Sequence, residues 1–235
     1  MDKKGKLYGI GVGPGDPDYL TIKAVNILKK VDAIYCACST KNRHSIAYDI
    51  ASKYIPENTP IKFLPFPMIL DRDKAENYWE NHAHKVLDDI NNGKEIAFLT
   101  VGDPLTYSTF GYLMKSIKKI APNTDIEVVP GITSYQAAAA ASNTILVEAE
   151  EVLTVISGVK GGEYLRRLDG LSENIVFLKA YKNIDDIILA LQETDRLEKS
   201  IAVIKCGFED EVIIKDIKIL KKEKPNYWTI IISKK

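Results

Sequence analysis

Three short loops combine glycine and proline with acidic or hydroxyl side chains, and each follows a run of apolar residues. The first loop is Gly9-Ile10-Gly11-Val12-Gly13-Pro14-Gly15-Asp16-Pro17. Because glycine has no Cβ, such a loop lets a ligand approach the backbone closely. The same residues also suit an ordinary tight turn between a strand and a helix, so this loop alone leaves both interpretations open.

The second and third loops carry side chains suited to polar contacts with a ligand. Val101-Gly102-Asp103-Pro104 ends a strand, where open α/β sheets bind their ligands. Asp103 is suited to accept hydrogen bonds from a sugar or an amine, or to cap the helix that begins near Thr106. The third loop, Val129-Pro130-Gly131-Ile132-Thr133-Ser134, ends in two hydroxyl residues that are also good helix caps.

The loops do not match the common nucleotide-binding motifs. No register of the first loop gives G-x-G-x-x-G, because the third glycine would fall on Pro14, Asp16 or Asp18. The sequence also contains no G-x-x-x-x-G-K-[ST]. The sequence therefore argues against a dinucleotide fingerprint and against a P-loop.

Residues for metal or nucleophilic chemistry are not grouped in the sequence. His82 and His84 would point to different sides of one helix, cannot share a metal ion, and are expected to be solvated. His44, beside Lys41 and Arg43, is the histidine that we retain as a site candidate. No Ser-His-Asp order, Cys-His pair or close carboxylate pair stands out. We therefore expect no metal site, and chemistry in which positioning of the substrates drives transfer of an activated group.

Strands that alternate with helices must position these loops. The N-terminal half has this alternation, which is typical of βαβ units around a parallel sheet. The predicted strands are 6–11, 31–36, 60–65, 95–101 and 126–129. The predicted helices are 21–30, 45–54, 71–91, 107–120 and 134–142.

The C-terminal half has strands with no helix between some of them. The predicted strands and β-rich stretches are 152–156, 174–179, 201–206, 211–219 and 227–232. The predicted helices are 163–168 and 185–192, the latter with Asn183 as N-cap. Consecutive strands without a crossover helix pair antiparallel. We expect an α/β protein of two αβα domains: residues 1–131 with a mostly parallel sheet, and residues 132–235 with a mixed sheet.

Composition favours a folded cytoplasmic protein. The 235 residues are 46% hydrophobic and 27% charged, and 32 basic residues balance 32 acidic ones for a formal net charge of zero. Disordered, collagen-like and disulfide-scaffold classes are excluded. The neutral balance argues against nucleic acid as a partner, and no apolar run suits a membrane span or a signal peptide. Cys36, Cys38 and Cys206 lack disulfide or zinc spacing, so we expect reduced, buried thiols.

Taken in order, the three loops resemble the tetrapyrrole methylases, which use S-adenosylmethionine. The resemblance extends over nearly the whole chain, from residues 11–17 and Leu20-Thr21 through the second and third loops to Cys206-Gly207. It implies a homodimer of two-domain αβα subunits with the methyl donor folded in the cleft between the domains. Asp103 is our candidate catalytic residue. By position, the residues implied to bind S-adenosylmethionine are Pro14, Val101, Gly102, Asp103, Thr106, Thr133, Ser134 and Gly207, with a further contact at Lys179 or Ala180.

Two further segments resemble one branch of that family, the precorrin-2 C20-methyltransferases of cobalamin biosynthesis. They are Leu64-Pro65-Phe66-Pro67-Met68 and residues 97–104 running into 107–113. The implied substrate is an anionic tetrapyrrole, precorrin-2 or cobalt-precorrin-2, methylated at its C-20 meso carbon. Asp103, His44 and a water molecule are all admissible acceptors for the proton that C-20 then loses. One departure is Asn143-Thr144-Ile145-Leu146, where the family often has a Gly-Ile-Pro-Leu-like stretch.

Two other functions remain open from the sequence. One is a related enzyme that methylates a different tetrapyrrole carbon, a protein or an RNA, and the other is a nucleotide-binding regulatory module without chemistry. Because the net charge is zero, binding of an anionic tetrapyrrole requires local basic residues. The candidates are Lys41, Arg43, Lys160, Arg166, Arg167 and Lys182.

Overall fold

The structure is a computed structural model that describes residues 5–39, 44–66, 72–223 and 225–235, with only the backbone described at 72–74. The chain divides into two units, Met1–Thr133 and Ser134–Lys235. In the described part, each unit is built on one five-stranded sheet. The first sheet is parallel and the second is mixed, which confirms the predicted fold class.

The first unit alternates strands and helices along the chain. Its elements are β1 (Lys6–Gly11), α1 (Ile22–Leu28), β2 (Ala33–Cys38), α2 (Ile46–Ala51), β3 (Ile61–Pro65), α3 (Arg72–Asn91), β4 (Glu95–Thr100), α4 (Thr109–Ile120) and β5 (Ile126–Val129). The strand order is β3-β2-β4-β1-β5.

Helices cover both faces of this sheet. Leu28 of α1 and Ile50 of α2 belong to the core on one face, whereas Val86 of α3 and Leu113 of α4 belong to the core on the other. The chain leaves β1 toward β2 and leaves β4 toward β5, so connections from these two adjacent strands run in opposite directions. The carboxyl ends of β1 and β4 therefore form the topological switch point, where doubly wound sheets bind ligands.

His82 is buried, so the expectation that it is solvated is wrong. It is 3% exposed, its ring lies 5.0 Å from that of Phe66, and its Nε2 lies 2.7 Å from the carbonyl oxygen of Pro65. The reason is that α3 presents His82 beside Ala83, on the side of the helix that packs toward the sheet. His84 is exposed, as expected.

The second unit inserts its last strand into the middle of its sheet. Its elements are α5 (Ser134–Ala141), β6 (Leu153–Ser157), α6 (Glu163–Leu168), β7 (Asn174–Leu178), α7 (Ile184–Glu193), β8 (Ser200–Ile204), β9 (Val212–Ile214) and β10 (Thr229–Lys234). The strand order is β6-β7-β10-β8-β9, and β10 runs antiparallel to both of its neighbours.

The predicted β-rich stretch 211–219 is only partly correct. A strand covers Val212–Ile214, and a 3₁₀ helix follows over Ile217–Lys221. The Asp216 carboxylate accepts a hydrogen bond from the Lys218 backbone N–H and thereby caps this helix. Two buried apolar residues of the helix then pack into the core of the unit, which favours the turn over a longer strand.

Cys36, Cys38 and Cys206 form no disulfide and are buried, as expected. Burial raises the pKa of Cys36 and of Cys206 to about 12, so both stay protonated near neutral pH. Within the described residues, no helix has both the length and the apolar character needed to cross a bilayer.

Candidate functional site

The loops after β1 and β4 are joined by a pair of backbone hydrogen bonds. The N–H of Gly102 donates to the carbonyl of Gly13 at 2.8 Å, and the N–H of Gly13 donates to the carbonyl of Gly102 at 3.3 Å. The φ of Gly13 is 79° and that of Gly102 is 71°, and such positive values favour glycine. This small bridge fixes the first two predicted loops against each other at the switch point of the sheet.

The third loop approaches the first two so closely that no side chain fits between them. A Cβ on Gly11 would lie 2.5 Å from the carbonyl oxygen of Gly102 and 2.7 Å from the Cα of Gly131. A Cβ on Gly131 would lie less than 3 Å from the same carbonyl oxygen and from Gly11. The three glycines therefore allow a close backbone contact among all three loops.

The Asp103 carboxylate holds the second and third loops together. Its Oδ1 accepts hydrogen bonds from the Leu105 N–H at 2.9 Å and the Thr106 hydroxyl at 3.3 Å, and its Oδ2 accepts one from the Gly131 N–H at 3.2 Å. Asp103 does not cap α4, because the N-cap of that helix is Ser108. The geometry thus makes Asp103 a residue that positions loop backbone.

Gly102 is buried, but the position where a Cβ would lie is not crowded. Outside its chain neighbours, the nearest heavy atom to a Cβ built there is the carbonyl oxygen of Ile132, at 4.0 Å. On the other sides the loops are packed tightly, since Pro14 and Pro104 are buried and Val101 packs against the core. Among Gly11, Gly13, Gly102 and Gly131, Gly102 therefore has the least crowded Cβ position.

The hydroxyl groups at the start of α4 add a feature that the sequence did not reveal. The Ser108 hydroxyl lies 2.8 Å from that of Thr100 and accepts a hydrogen bond from the Phe110 N–H at 3.1 Å. This cap starts α4 at Thr109, two residues later than predicted. The preceding Tyr107 has a φ of 51° and is 55% exposed, an uncommon backbone conformation for a residue other than glycine.

The remaining predicted donor-binding residues lie at the end of the first unit and in the second. Thr133, 8% exposed, is the last residue of the first unit, and Ser134 is the first residue of α5. Gly207 follows β8 in the second unit with a φ of 80°, and its N–H donates to the Glu211 carboxylate at 2.8 Å.

Two of the basic residues predicted to bind the substrate carboxylates, Arg166 and Arg167, lie near acidic side chains. Arg166 pairs with Asp186 at 2.8 Å and Glu193 at 2.6 Å, so its charge is already neutralised. Arg167 lies 3.8 Å from the Glu163 carboxylate. Lys41 and Arg43 lie outside the described residues, as do Pro67 and Met68 of the predicted segment Leu64-Pro65-Phe66-Pro67-Met68.

His44 lies in the first unit, and Asn143-Thr144-Ile145-Leu146, the segment that departs from the family pattern, lies in the second. The Nε2 of His44 is 3.1 Å from the Asp49 carboxylate, in an exposed setting of the first unit. In the second unit, residues 143–147 and one side of α5 line an open concavity. Across the described residues, no three His, Cys, Asp or Glu side chains are grouped as a metal site would require.

Comparison with known proteins identifies relatives of the whole chain. A model of the tetrapyrrole (corrin/porphyrin) methylases matches residues 6–218. A probable cobalt-precorrin-2 C(20)-methyltransferase of Methanocaldococcus jannaschii is 39% identical over 211 residues, which is 89% of this chain and 86% of the relative. A cobalt-precorrin-2 C(20)-methyltransferase of Salmonella typhimurium is 28% identical, over 98% of this chain and 97% of the relative.

A solved structure agrees with the fold. The uroporphyrin-III C-methyl transferase of Thermus thermophilus, complexed with S-adenyl homocysteine, superposes with a TM-score of 0.68. That comparison has 19% sequence identity and covers 98% of this chain and 97% of that chain. The family match over residues 6–218 and the 39% identity extend well beyond the glycine loops. This chain therefore belongs to the tetrapyrrole (corrin/porphyrin) methylases.

Proposed function

We propose that this chain transfers the methyl group of S-adenosylmethionine to C-20 of precorrin-2 or cobalt-precorrin-2 in cobalamin biosynthesis. The observation that carries the proposal is the 39% identity, over 89% of the chain, to a relative named for that reaction. The names of both reported relatives specify the cobalt-containing substrate, which favours cobalt-precorrin-2 over the metal-free form.

We propose that the three loops bind the methyl donor. The donor-binding residues in this proposal are Pro14, Val101, Gly102, Asp103, Thr106, Thr133, Ser134 and Gly207. The backbone bridge between Gly13 and Gly102 and the close approach of Gly11 and Gly131 support this proposal, because they bring the three loops together at the carboxyl ends of the strands. The structure of a fold relative with S-adenyl homocysteine supports the same class of ligand.

S-adenosylmethionine supplies a methyl group on a positively charged sulfur, which an electron-rich carbon can attack. The contribution of this chain is to hold both reactants in line and to exclude water. Val12, Pro14 and Pro104 are buried, so they shield from water the parts of the loops that adjoin the strands. Asp103 is the catalytic candidate, and its three hydrogen bonds favour a role in fixing the loops on which the donor lies.

Two further features of the proposal concern assembly and location. We propose a homodimer in the cytoplasm. The resemblance to the family supports the homodimer, and the absence of a disulfide among the three cysteines favours a reducing compartment. Sedimentation velocity of the purified protein measures the assembly directly.

Turnover of the purified protein tests the function. We expect cobalt-precorrin-2 incubated with S-adenosylmethionine to gain one methyl group by mass spectrometry, faster than metal-free precorrin-2 does. Methylation of a later pathway tetrapyrrole but not of either precorrin-2 form would identify a different enzyme of the family. Tight binding of a plain nucleotide in calorimetry, without binding of S-adenosylhomocysteine, would instead identify a regulatory module.

A further inference from the structure

Three lysines lie at the carboxyl ends of two neighbouring strands in the second unit. β6 and β7 are parallel, and Ser157 pairs with Leu178 at their ends. Lys160 follows β6, and Lys179 and Lys182 follow β7. We call these three lysines the cationic edge.

The loops that carry the cationic edge are packed together. The Asn183 side-chain amide, at the N-cap position of α7, donates to the Val159 carbonyl at 2.6 Å instead of capping its own helix. A Cβ on Gly158 would lie 3.0 Å from the Cα of Ala180. The two loops that carry these lysines are thus held side by side.

The cationic edge is not neutralised by nearby acids. In the described part of the chain, no carboxylate lies within ion-pair distance of Lys160, Lys179 or Lys182, although the exposed Asp185 lies in the first turn of the following helix. By contrast, Lys205, at the end of β8, forms a close ion pair with Asp210. The same edge of the sheet therefore carries both paired and unpaired cations.

An aromatic surface adjoins two of these lysines. The ammonium of Lys179 lies 5.6 Å from the centre of the Tyr227 ring, and that of Lys182 lies 5.7 Å from the Tyr181 ring. The two tyrosine rings are 5.5 Å apart, and Trp228 continues the cluster 5.4 Å from Tyr227. Aromatic faces beside ammonium groups suit a flat conjugated ligand that carries carboxylates.

Lys179 occupies a backbone conformation that favours glycine. Its φ is 57°, and hydrogen bonds from the Ala180 N–H to Thr229 and from the Tyr181 N–H to Lys179 itself fix the turn. A lysine gives this backbone no advantage over glycine. Strained backbone conformations are more frequent at ligand sites than elsewhere in proteins.

We propose that Lys179 and Lys182, beside Tyr181 and Tyr227, bind carboxylate groups of the tetrapyrrole substrate. This inference rests on the proposed function, since it names the residues that recognise that substrate. The methionine carboxylate of the donor has the same chemistry, and the family resemblance implies a donor contact at Lys179 or Ala180. Separate measurement of donor and substrate affinity distinguishes the two sources.

Lys179→Gly tests the inference, because glycine suits the backbone and removes only the side chain. We expect an unchanged or higher melting temperature, an unchanged kcat and S-adenosylhomocysteine affinity, and a KM for cobalt-precorrin-2 about tenfold higher, since about 1.4 kcal/mol corresponds to that factor. Lys205→Gly is the matched control. Lys205 also has a left-handed φ, 52°, but its charge is paired, so its KM should not change.

Three results would overturn the inference. They are an unchanged KM in the stable Lys179→Gly/Lys182→Ala double variant, an equal rise of KM in Lys205→Gly, or weaker donor binding without a change in KM. Quenching of tryptophan fluorescence by sirohydrochlorin, an oxidised tetrapyrrole with the same carboxylates, keeps the test independent of turnover. If wild-type protein binds it more tightly than Lys179→Gly but methylates neither form of precorrin-2, the function proposal fails and this inference stands.

Discussion

Asp103 accepts a hydrogen bond from the backbone N–H of Gly131 across 3.2 Å, although the two residues are 28 positions apart in the sequence. This bond and the Gly13–Gly102 bridge join the three loops that end β1, β4 and β5. The loops are therefore ordered by contacts among themselves. A ligand that binds to ordered loops loses less free energy to ordering the protein.

Asp103→Asn should weaken donor binding more than it slows chemistry. Asparagine keeps one acceptor for Leu105 but places an amide where Oδ2 accepts from Gly131. A hydrogen bond to a charged group contributes about 1.5–3 kcal/mol, so calorimetry with S-adenosylhomocysteine should show a Kd at least about tenfold higher. Asp216→Asn is the control, because Asp216 makes a similar local turn without a bond to a second loop.

The same variant also tests Asp103 as the proton acceptor. If Asp103 accepts the proton from C-20, then Asp103→Asn lowers the single-turnover rate and changes its pH profile while donor affinity stays normal. That outcome would contradict the positioning role assigned above.

Gly131→Ala should disrupt the site, because its methyl group would collide with the Gly102 carbonyl and with Gly11. We expect a loss of stability of about 1–3 kcal/mol, typical of overpacking, together with weaker donor binding. Urea unfolding and calorimetry measure the two effects. Gly111→Ala is the control, since a Cβ in that helical position meets no atom within 4 Å and should stabilise α4 by about 0.5–1 kcal/mol. Equal effects of the two variants would refute the close-contact argument.

Gly207→Ala tests the predicted donor contact in the second unit. Gly207 and Gly170 have φ values of 80° and 79°, so alanine should cost about 1–2 kcal/mol of backbone strain at either position. Gly170 is exposed and lies outside the candidate site. We expect weaker S-adenosylhomocysteine binding in Gly207→Ala alone. Binding as tight as that of Gly170→Ala would remove Gly207 from the proposed site.

A partly buried ion cluster around Asp89, near the end of α3, makes stability depend on pH. Tyr35 donates to the Asp89 carboxylate at 2.8 Å, Lys94 lies 2.9 Å from it, and Lys62 also pairs with it. Burial raises the pKa of Asp89, but the hydrogen bonds from Lys62, Lys94 and Tyr35 outweigh burial and lower the pKa from 3.8 to about 2. The unfolded chain thus binds this proton at a higher pH than the folded chain does.

The stability from Asp89 is therefore complete above about pH 4 and is lost as the pH falls toward 2, by about 2 kcal/mol in total. Urea unfolding at several pH values should show this fall in the wild-type protein and a smaller one in Asp89→Asn. Asp88→Asn, at the exposed neighbouring position, should keep the wild-type slope. Identical slopes for the wild type and Asp89→Asn would show that Asp89 is not responsible.

Local patterns account for what the sequence predicted correctly. The strand of residues 95–101 and the helix of residues 71–91 each depend on periodicity within one segment, and both are present, as β4 and as α3, whose first described residue is Arg72. The glycine loops were also recognisable, because glycine and proline mark turns wherever the chain goes next.

Contacts between distant segments account for what the sequence missed. The insertion of β10 between β7 and β8 is set by the packing of the whole second sheet. No local pattern pairs Asp103 with Gly131 or Arg166 with Asp186, and none marks Lys179 for a left-handed backbone. The burial of His82 likewise depends on which side of α3 meets the rest of the unit.

The position of the transferred methyl group tests the central claim most directly. The purified protein is incubated with cobalt-precorrin-2 and S-adenosylmethionine carrying a carbon-13 methyl group, and the product is analysed by NMR. The account predicts a single labelled methyl group on the C-20 meso carbon. Label on any other ring carbon, or no transfer by protein that binds S-adenosylhomocysteine, would contradict it.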